Sequence, residues 1–182
     1  MEIAAYFGVS RTPVREAIQL LADQHLIEVF PGRESRVAPV DHAKLQEVYL
    51  IMAELHGLAV RLAYDKLTPE CFSTLEQTNE RMAQAHQAHD QEKMLAADEQ
   101  FHQVFFQLAD NDFLSSFSNT LLAHVLRLEN LFFTLSGNSV TEHEALLKAL
   151  RQKDLELAVT QVKRNWLNTA ATLAQYFAEA RQ

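Results

Sequence analysis

The chain is poor in several residue types, and each shortage excludes something. One cysteine, Cys71, stands among 182 residues, so an internal disulfide framework is impossible and the chain fits a reducing cytoplasm. Four glycines and four prolines are too few to punctuate a turn-rich β protein. No apolar run approaches the roughly 20 residues of a membrane-spanning helix, and the first residues carry no secretion-signal pattern. Basic residues are short too. Sixteen Lys and Arg against 24 Asp and Glu give a net charge of −8, which excludes a surface coated for nonspecific nucleic-acid binding but leaves room for a small basic site. What is present is a hydrophobic fraction of 48%, enough for a real core. These numbers predict a soluble, mostly helical cytoplasmic protein with one large domain, or a medium one beside a small companion.

The most informative stretch is AADEQFHQVFFQL, Ala96 to Leu108. Its spacing predicts a helix with Asp98 and His102 one above the other on a single face. Leu95, Phe101, Phe105 and Leu108, widened by Val104 and Phe106, predict burial on most sides. A carboxylate and an imidazole on a buried face need partners, because burying either alone is costly. His143 and Asn165 occupy helical positions from which they could meet them. From the residues alone, two outcomes stand: a hydrogen-bonded polar cluster in the core, or a cation site.

From the start of the chain, Glu2 to Phe7 reads as a short helix stopped at Gly8. Thr12 as N-cap and Pro13 in the first helical position predict a second helix, with Val14, Ala17, Ile18 and Leu21 buried and Arg11 and Arg15 near its exposed end. Leu26 to Phe30 reads as a strand, Pro31-Gly32-Arg33 as a turn, and Ser35 to Val37 as the return strand. Spacing alone leaves two readings of equal weight: a winged helix-turn-helix, or a plain helical hairpin with solvated arginines. From Leu45 onward the pattern is helical. Thr68-Pro69, Asp90 and Asp154 read as helix starts, Asp110-Asn111-Asp112 as a break, Ser136-Gly137-Asn138 as a loop, and Ser139 with Glu142 as a capping box. Six or seven helices with short loops predict an antiparallel bundle.

The wording of the first segment, FGVSRTPVREAIQLLADQHLIEVFPGR, closely resembles the DNA-binding domain of the GntR family of bacterial transcription regulators. The resemblance implies that Ser10, Arg11, Thr12 and Arg15 contact double-stranded DNA from a recognition helix, and Gly32 and Arg33 from the wing. Glu34 departs from the family, which usually has Gly there. The family's domain begins a full helix earlier, so the expectation is a winged helix-turn-helix without its first helix at 1–38, a linker at 39–43 and a bundle at 44–182.

The bundle resembles the FCD effector domain of the FadR-like branch, through A-D-x-x-F-H (Ala97 to His102), the Asn111 turn, E-H-x-x-L-L-x-A-L (Glu142 to Leu150) and D-x-x-x-A (Asp154 to Ala158). It implies a divalent metal (Zn, Ni, Mn or Fe) held by Asp98, His102 and His143, with Asn165 standing where the family usually has a third His. Met52 and His56 stand where the family commonly has Arg and Glu; Met52 reads as core, and His56 either turns to the pocket or is a surface or satisfied core histidine. Arg127 is the candidate to meet an effector carboxylate. The function implied is a ligand-responsive regulator, not an enzyme: a homodimer on a near-palindromic operator, with a small carboxylate-containing effector in the helical domain. Two alternatives remain. One is a truncated regulator that binds effector but no DNA; the other is a non-heme metalloenzyme, since two His and one carboxylate also describe an open catalytic site.

Overall fold

The computed structural model describes residues 2–30, 32, 34–39, 42–131 and 138–179. The chain divides into two compact units, 1–41 and 42–182.

The first unit holds α1 (Glu2–Tyr6), α2 (Arg11–Asp23) and a two-stranded antiparallel sheet of β1 (Ile27–Glu28) and β2 (Arg36–Val37), paired Ile27 with Val37 and Glu28 with Arg36. Gly8 adopts φ +64°, so that Val9 N–H can bond Ala4 O at 3.0 Å and close α1. The start of α2 differs from the expected Thr12 cap. Ser10, in extended backbone, is the cap residue and Arg11 the first helical one. Pro13 still fits, because first-turn amides have no acceptor within the helix and a missing N–H there costs nothing. β1 is shorter than the expected Leu26–Phe30, and Val29 and Phe30 beyond it are exposed. Val14, Ile18 and Leu21 are half-buried and Ala17 is exposed, so the expected buried face is shallow. Among the described residues of this unit only Ala38 is buried.

The second unit consists of α3 (His42–Ala63), a 3-10 turn at Tyr64–Lys66, α4 (Pro69–Gln87), α5 (Gln91–Ala109), α6 (Asp112–Leu131), α7 (Ser139–Arg151) and α8 (Leu155–Glu179). α3 starts two residues inside the stretch expected as linker. Side-chain caps set the phase of most helices. Thr68 Oγ1 accepts from Cys71 N at 3.4 Å, Asp90 Oδ1 from Lys93 N at 3.1 Å, Asn111 Oδ1 from Leu114 N at 3.0 Å, and Asp154 Oδ1 from Leu157 N at 2.9 Å. The capping box expected at Ser139 does not form. Asn138 takes the cap position without a side-chain bond, and the Glu142 carboxylate turns to α8 instead. The expected loop residues Ser136 and Gly137 lie outside the described residues.

α5 supplies three aromatic rings to the core of the bundle. Its Phe101, Phe105 and Phe106 pack with Ala59 and Val60 of α3, Leu146 and Leu150 of α7, and Val159 and Val162 of α8. α3 and α8 approach closely at Gly57, where a Cβ would lie 2.6 Å from Lys163 Cε. Among the described residues no helix is long and apolar enough to cross a membrane.

Candidate metal centre

α5 presents Asp98 and His102, and α7 presents His143; one ligand atom from each lies within 4.8 Å of the others. His143 Nε2 is 3.5 Å from Asp98 Oδ1, and His102 Nε2 is 3.9 Å from Asp98 Oδ2. Both distances exceed a good hydrogen bond. They suit ligands of one ion, since two atoms each ~2.1 Å from a metal are at most ~4.2 Å apart.

The orientation of His143 is set from behind. Its Nδ1 lies 3.0 Å from Asn79 Oδ1, an oxygen that can only accept, so the ring donates its N–H there. Asn79 is held in turn by donating its Nδ2 to Val140 O at 3.1 Å. The lone pair is therefore on Nε2, which is buried and has no hydrogen-bond partner among the described residues. Phe101 stacks flat on the ring, centroids 3.8 Å apart.

Asn165 of α8 stands beside His102. Its Nδ2 donates to Glu142 Oε2 at 2.8 Å, while Asn168 Nδ2 donates to Glu142 Oε1 at 2.5 Å. With its nitrogen so committed, Asn165 offers His102 its amide oxygen.

Burial governs the electrostatics. It lowers His102 to about 4, against a smaller upward pull from Asn165. It also holds His143 and His56 well below the usual imidazole range, with His102 adding to the effect. All three rings are neutral near pH 7 and carry free lone pairs. Asp98 is pushed up to about 7 by burial first, then by Glu142 and Glu99. A carboxyl so reluctant to ionise is one that a cation would stabilise.

His56, on α3, belongs to the same cluster. It is 4% exposed, its ring meets those of His102 at 4.7 Å and Trp166 at 4.4 Å, and its Nε2 has no partner among the described residues. A cavity of about 20 Å³ opens here, bordered by His56, Asp98, His102, Ser118 and Trp166. The polar partners that sequence reasoning missed are Asn79 and Glu142. Asn79 left one trace, a polar residue on the α4 face of Leu75 and Met82, both buried.

Of the other candidates, Met52 is fully buried, as expected for core. Arg127 is half-buried on α6 and outside the lining of that cavity. Ser10, Arg11, Thr12, Arg15 and Gly32 are all exposed on the first unit, and Arg33 lies outside the described residues.

Comparison with known proteins bears on both units. The family model of the FCD domain matches residues 47–167, and that of the bacterial regulatory proteins of the gntR family matches residues 1–37. The HTH-type transcriptional regulator McbR of Escherichia coli K12 is 29% identical over 159 residues, spanning 85% of this chain and 72% of McbR. A probable D-xylose utilization operon transcriptional repressor of Paenarthrobacter nicotinovorans is 32% identical over 164 residues, spanning 87% of this chain and 70% of that protein. The solved structure of E. coli McbR/YncC superposes with a TM-score of 0.81 at 25% identity, over 97% of this chain and 85% of that one. The metal-free FCD domain of TM0439 shares the fold, with a TM-score of 0.64 at 16% identity over 78% of this chain and 99% of that one.

Proposed function

This chain belongs to the gntR family of bacterial regulatory proteins and carries an FCD domain, and we propose how this ligand-responsive DNA-binding regulator works. Asp98, His102 and His143 hold a divalent cation inside the bundle, and a small carboxylate effector joins them there. Occupancy of the bundle biases how a homodimer presents its two recognition helices to a near-palindromic operator in the cytoplasm.

The observation that carries the metal reading is His143 Nε2: buried, turned toward Asp98 by the Asn79 bond, and without a hydrogen-bond partner among the described residues. A buried lone pair beside a carboxyl calls for a cation. The donor set of two imidazoles and one carboxylate fits Zn, Ni, Fe or Mn, and the Asn165 amide oxygen moves the preference toward Mn. When bound, the ion would supply positive charge that Asp98 and Glu142 otherwise lack. Ser10, Arg11, Thr12 and Arg15 read the operator from α2, with Gly32 and Arg33 in the wing. The reading as regulator rather than metalloenzyme is supported by the names of the relatives.

The test is metal analysis of the purified protein, with thermal melts in Mn, Ni and Zn for wild type and His102→Ala. At 100 times its Kd a metal should stabilise wild type by ~2.7 kcal/mol and leave the variant unmoved. Equal melts for both proteins in all three metals would remove the metal from this account.

A further inference from the structure

We propose that the cleft between α4 and α7 is a second ligand site, suited to a basic amino acid such as free lysine, and that its occupancy is passed to His143 through Asn79. The cleft has a volume of about 580 Å³, within the roughly 300–1,000 Å³ of small-molecule sites. None of Asp98, His102 and His143 lines it.

Each wall is one helix face. α4 supplies Glu76, Asn79 and Glu80, and α7 supplies Glu144, Leu147, Lys148 and Arg151, all at steps of three or four residues. Two links join the walls. Arg151 pairs with Glu76 and lies over the Phe72 ring, 5.2 Å from its centroid. Asn79 Nδ2 donates to Val140 O at 3.1 Å. Glu80, Glu144 and Lys148 are exposed and enter no ion pair among the described residues.

The charges of the cleft define their complement. Glu76, Glu80 and Glu144 stand against Lys148 and Arg151, three carboxylates and two cations, a net −1. Free lysine brings two ammonium groups and one carboxylate, a net +1. Lys148 and Arg151 are neighbours on one face of α7, so both can meet the ligand carboxylate. Arg151 has five N–H donors, and Glu76 takes one of them. Glu144 lies one turn before Lys148, about 6 Å along the axis, and with Glu80 on the facing helix it receives the side-chain ammonium. The ligand's flexible four-carbon stem crosses the apolar part of the lining, Ala83, Val140 and Leu147. A ligand charged at one end only would leave half of this pattern unmatched.

Asn79 joins the cleft to the core. It lines the cleft yet is only 6% exposed, and its Oδ1 accepts the His143 Nδ1–H. Val140 O takes one of its two N–H groups. A ligand that draws on this amide, or shifts Glu80 beside it, moves the group that orients His143.

The full chain, treated with chelator so that the outcome does not depend on the metal reading, is titrated by calorimetry with lysine, norleucine, 1,5-diaminopentane and glutamate. Lysine should bind. Norleucine, without the side-chain ammonium, and 1,5-diaminopentane, without the carboxylate, should each bind at least about fivefold more weakly, the worth of one exposed ion pair. Glutamate, with the opposite balance of charge, should not bind. Glu80→Gln, Glu144→Gln and Lys148→Gln should each weaken lysine by the same factor while the helical circular dichroism holds. In NMR spectra of wild type, lysine should shift the His143 ring signals. No heat with millimolar lysine, norleucine binding as tightly as lysine, or three variants with unchanged affinity overturns the site. Lysine binding that leaves the His143 ring signals in place overturns the link through Asn79.

Discussion

His143 donates its Nδ1–H to Asn79 Oδ1 across 3.0 Å, linking α7 to α4 behind the cluster of Asp98, His102 and His143. That one bond decides which imidazole nitrogen faces Asp98. Asn79→Leu should free the ring to change tautomer and turn, and leave a buried donor unpaired. Metal affinity should fall by about 10–100-fold, as for other ligand-orienting partners, and metal-free stability by ~1–3 kcal/mol. Calorimetric metal titration and urea unfolding measure the two. Unchanged metal affinity would mean that Phe101 stacking alone fixes the ring.

Stability of the metal-free protein should depend on pH in a direction set by the cluster. His102 falls to about 4 from an ordinary 6.5, so below 6.5 the unfolded chain takes the proton first and stability is lost down to about 4. His143 and His56 are lowered too and act the same way. Asp98, raised from 3.8 to about 7, acts oppositely: its contribution falls as pH rises through that window. Three imidazoles against one carboxyl predict a net loss on going from pH 6.5 to 4.5. The same Asp98 proton should compete with the ion, so metal affinity should weaken as pH drops below about 7. Urea midpoints and metal titrations at pH 7.5, 6.5, 5.5 and 4.5 check both; a midpoint that rises on acidification contradicts the first.

On the first unit, Arg11 and Arg15 stand exposed at the start of α2. Replacing either by Ala should weaken operator binding by ~1–3 kcal/mol if it meets a base edge. The helical circular dichroism should not change. Fluorescence anisotropy with DNA from upstream of the chain's own gene is the measurement, and equal affinity in both variants would remove α2 as the reading helix. Because Ala38 alone is buried among the described residues of this unit, its amides should also exchange faster than those of α5.

How far the residues alone disclosed this site depends on the range of each interaction. The Asp98–His102 pairing was legible because a four-residue step on a helix is local geometry. The caps at Thr68, Asp90 and Asp154 were legible for the same reason, since each closes within three residues. The Ser139–Glu142 box failed because a local rule cannot weigh one backbone N–H against two amides arriving from Asn165 and Asn168. His56 could not be placed by spacing, since the ring it meets, His102, lies on another helix. At α2, Ser10 and Thr12 are both competent caps, and the choice fell to the extended backbone at Ser10.

The turn between α7 and α8 sets where His143 and Asn165 stand relative to each other. Lys153 closes that turn at φ +57°, with its N–H on Leu150 O at 3.0 Å and that of Asp154 on Ala149 O at 3.1 Å. A side chain in left-handed backbone is strained where glycine is not, so Lys153→Gly should stabilise the bundle by up to ~1 kcal/mol. Thermal melts check this, and metal affinity should hold because the same two bonds still form. A lower melting temperature would show that the flexibility gained in the unfolded chain outweighs the strain relieved.

Asn165 is one of the departures from the pattern that the resemblance implied, and it carries the sharpest test of the cluster. It stands beside His102 with its amide nitrogen tied to Glu142 at 2.8 Å, which leaves its oxygen to His102. Asn165→His exchanges that oxygen for a softer imidazole nitrogen, completing three His and one Asp. Affinity for Zn or Ni should therefore rise, and rise more than affinity for Mn, which favours oxygen. The same change gives up the amide bond to Glu142, leaving Asn168 as the donor to that carboxylate. The metal-free variant should then be less stable by ~1 kcal/mol, while the Zn-loaded variant should melt above Zn-loaded wild type. His102→Ala placed in the same background should lose the gain, because it removes a ligand rather than a neighbour. Competition titrations with a chelator and melts with and without each metal give the four comparisons. A variant that gains no Zn affinity would show that α8 stands too far from Asp98 for its side chain to reach the ion, and Asn165 would then be a partner of Glu142 alone.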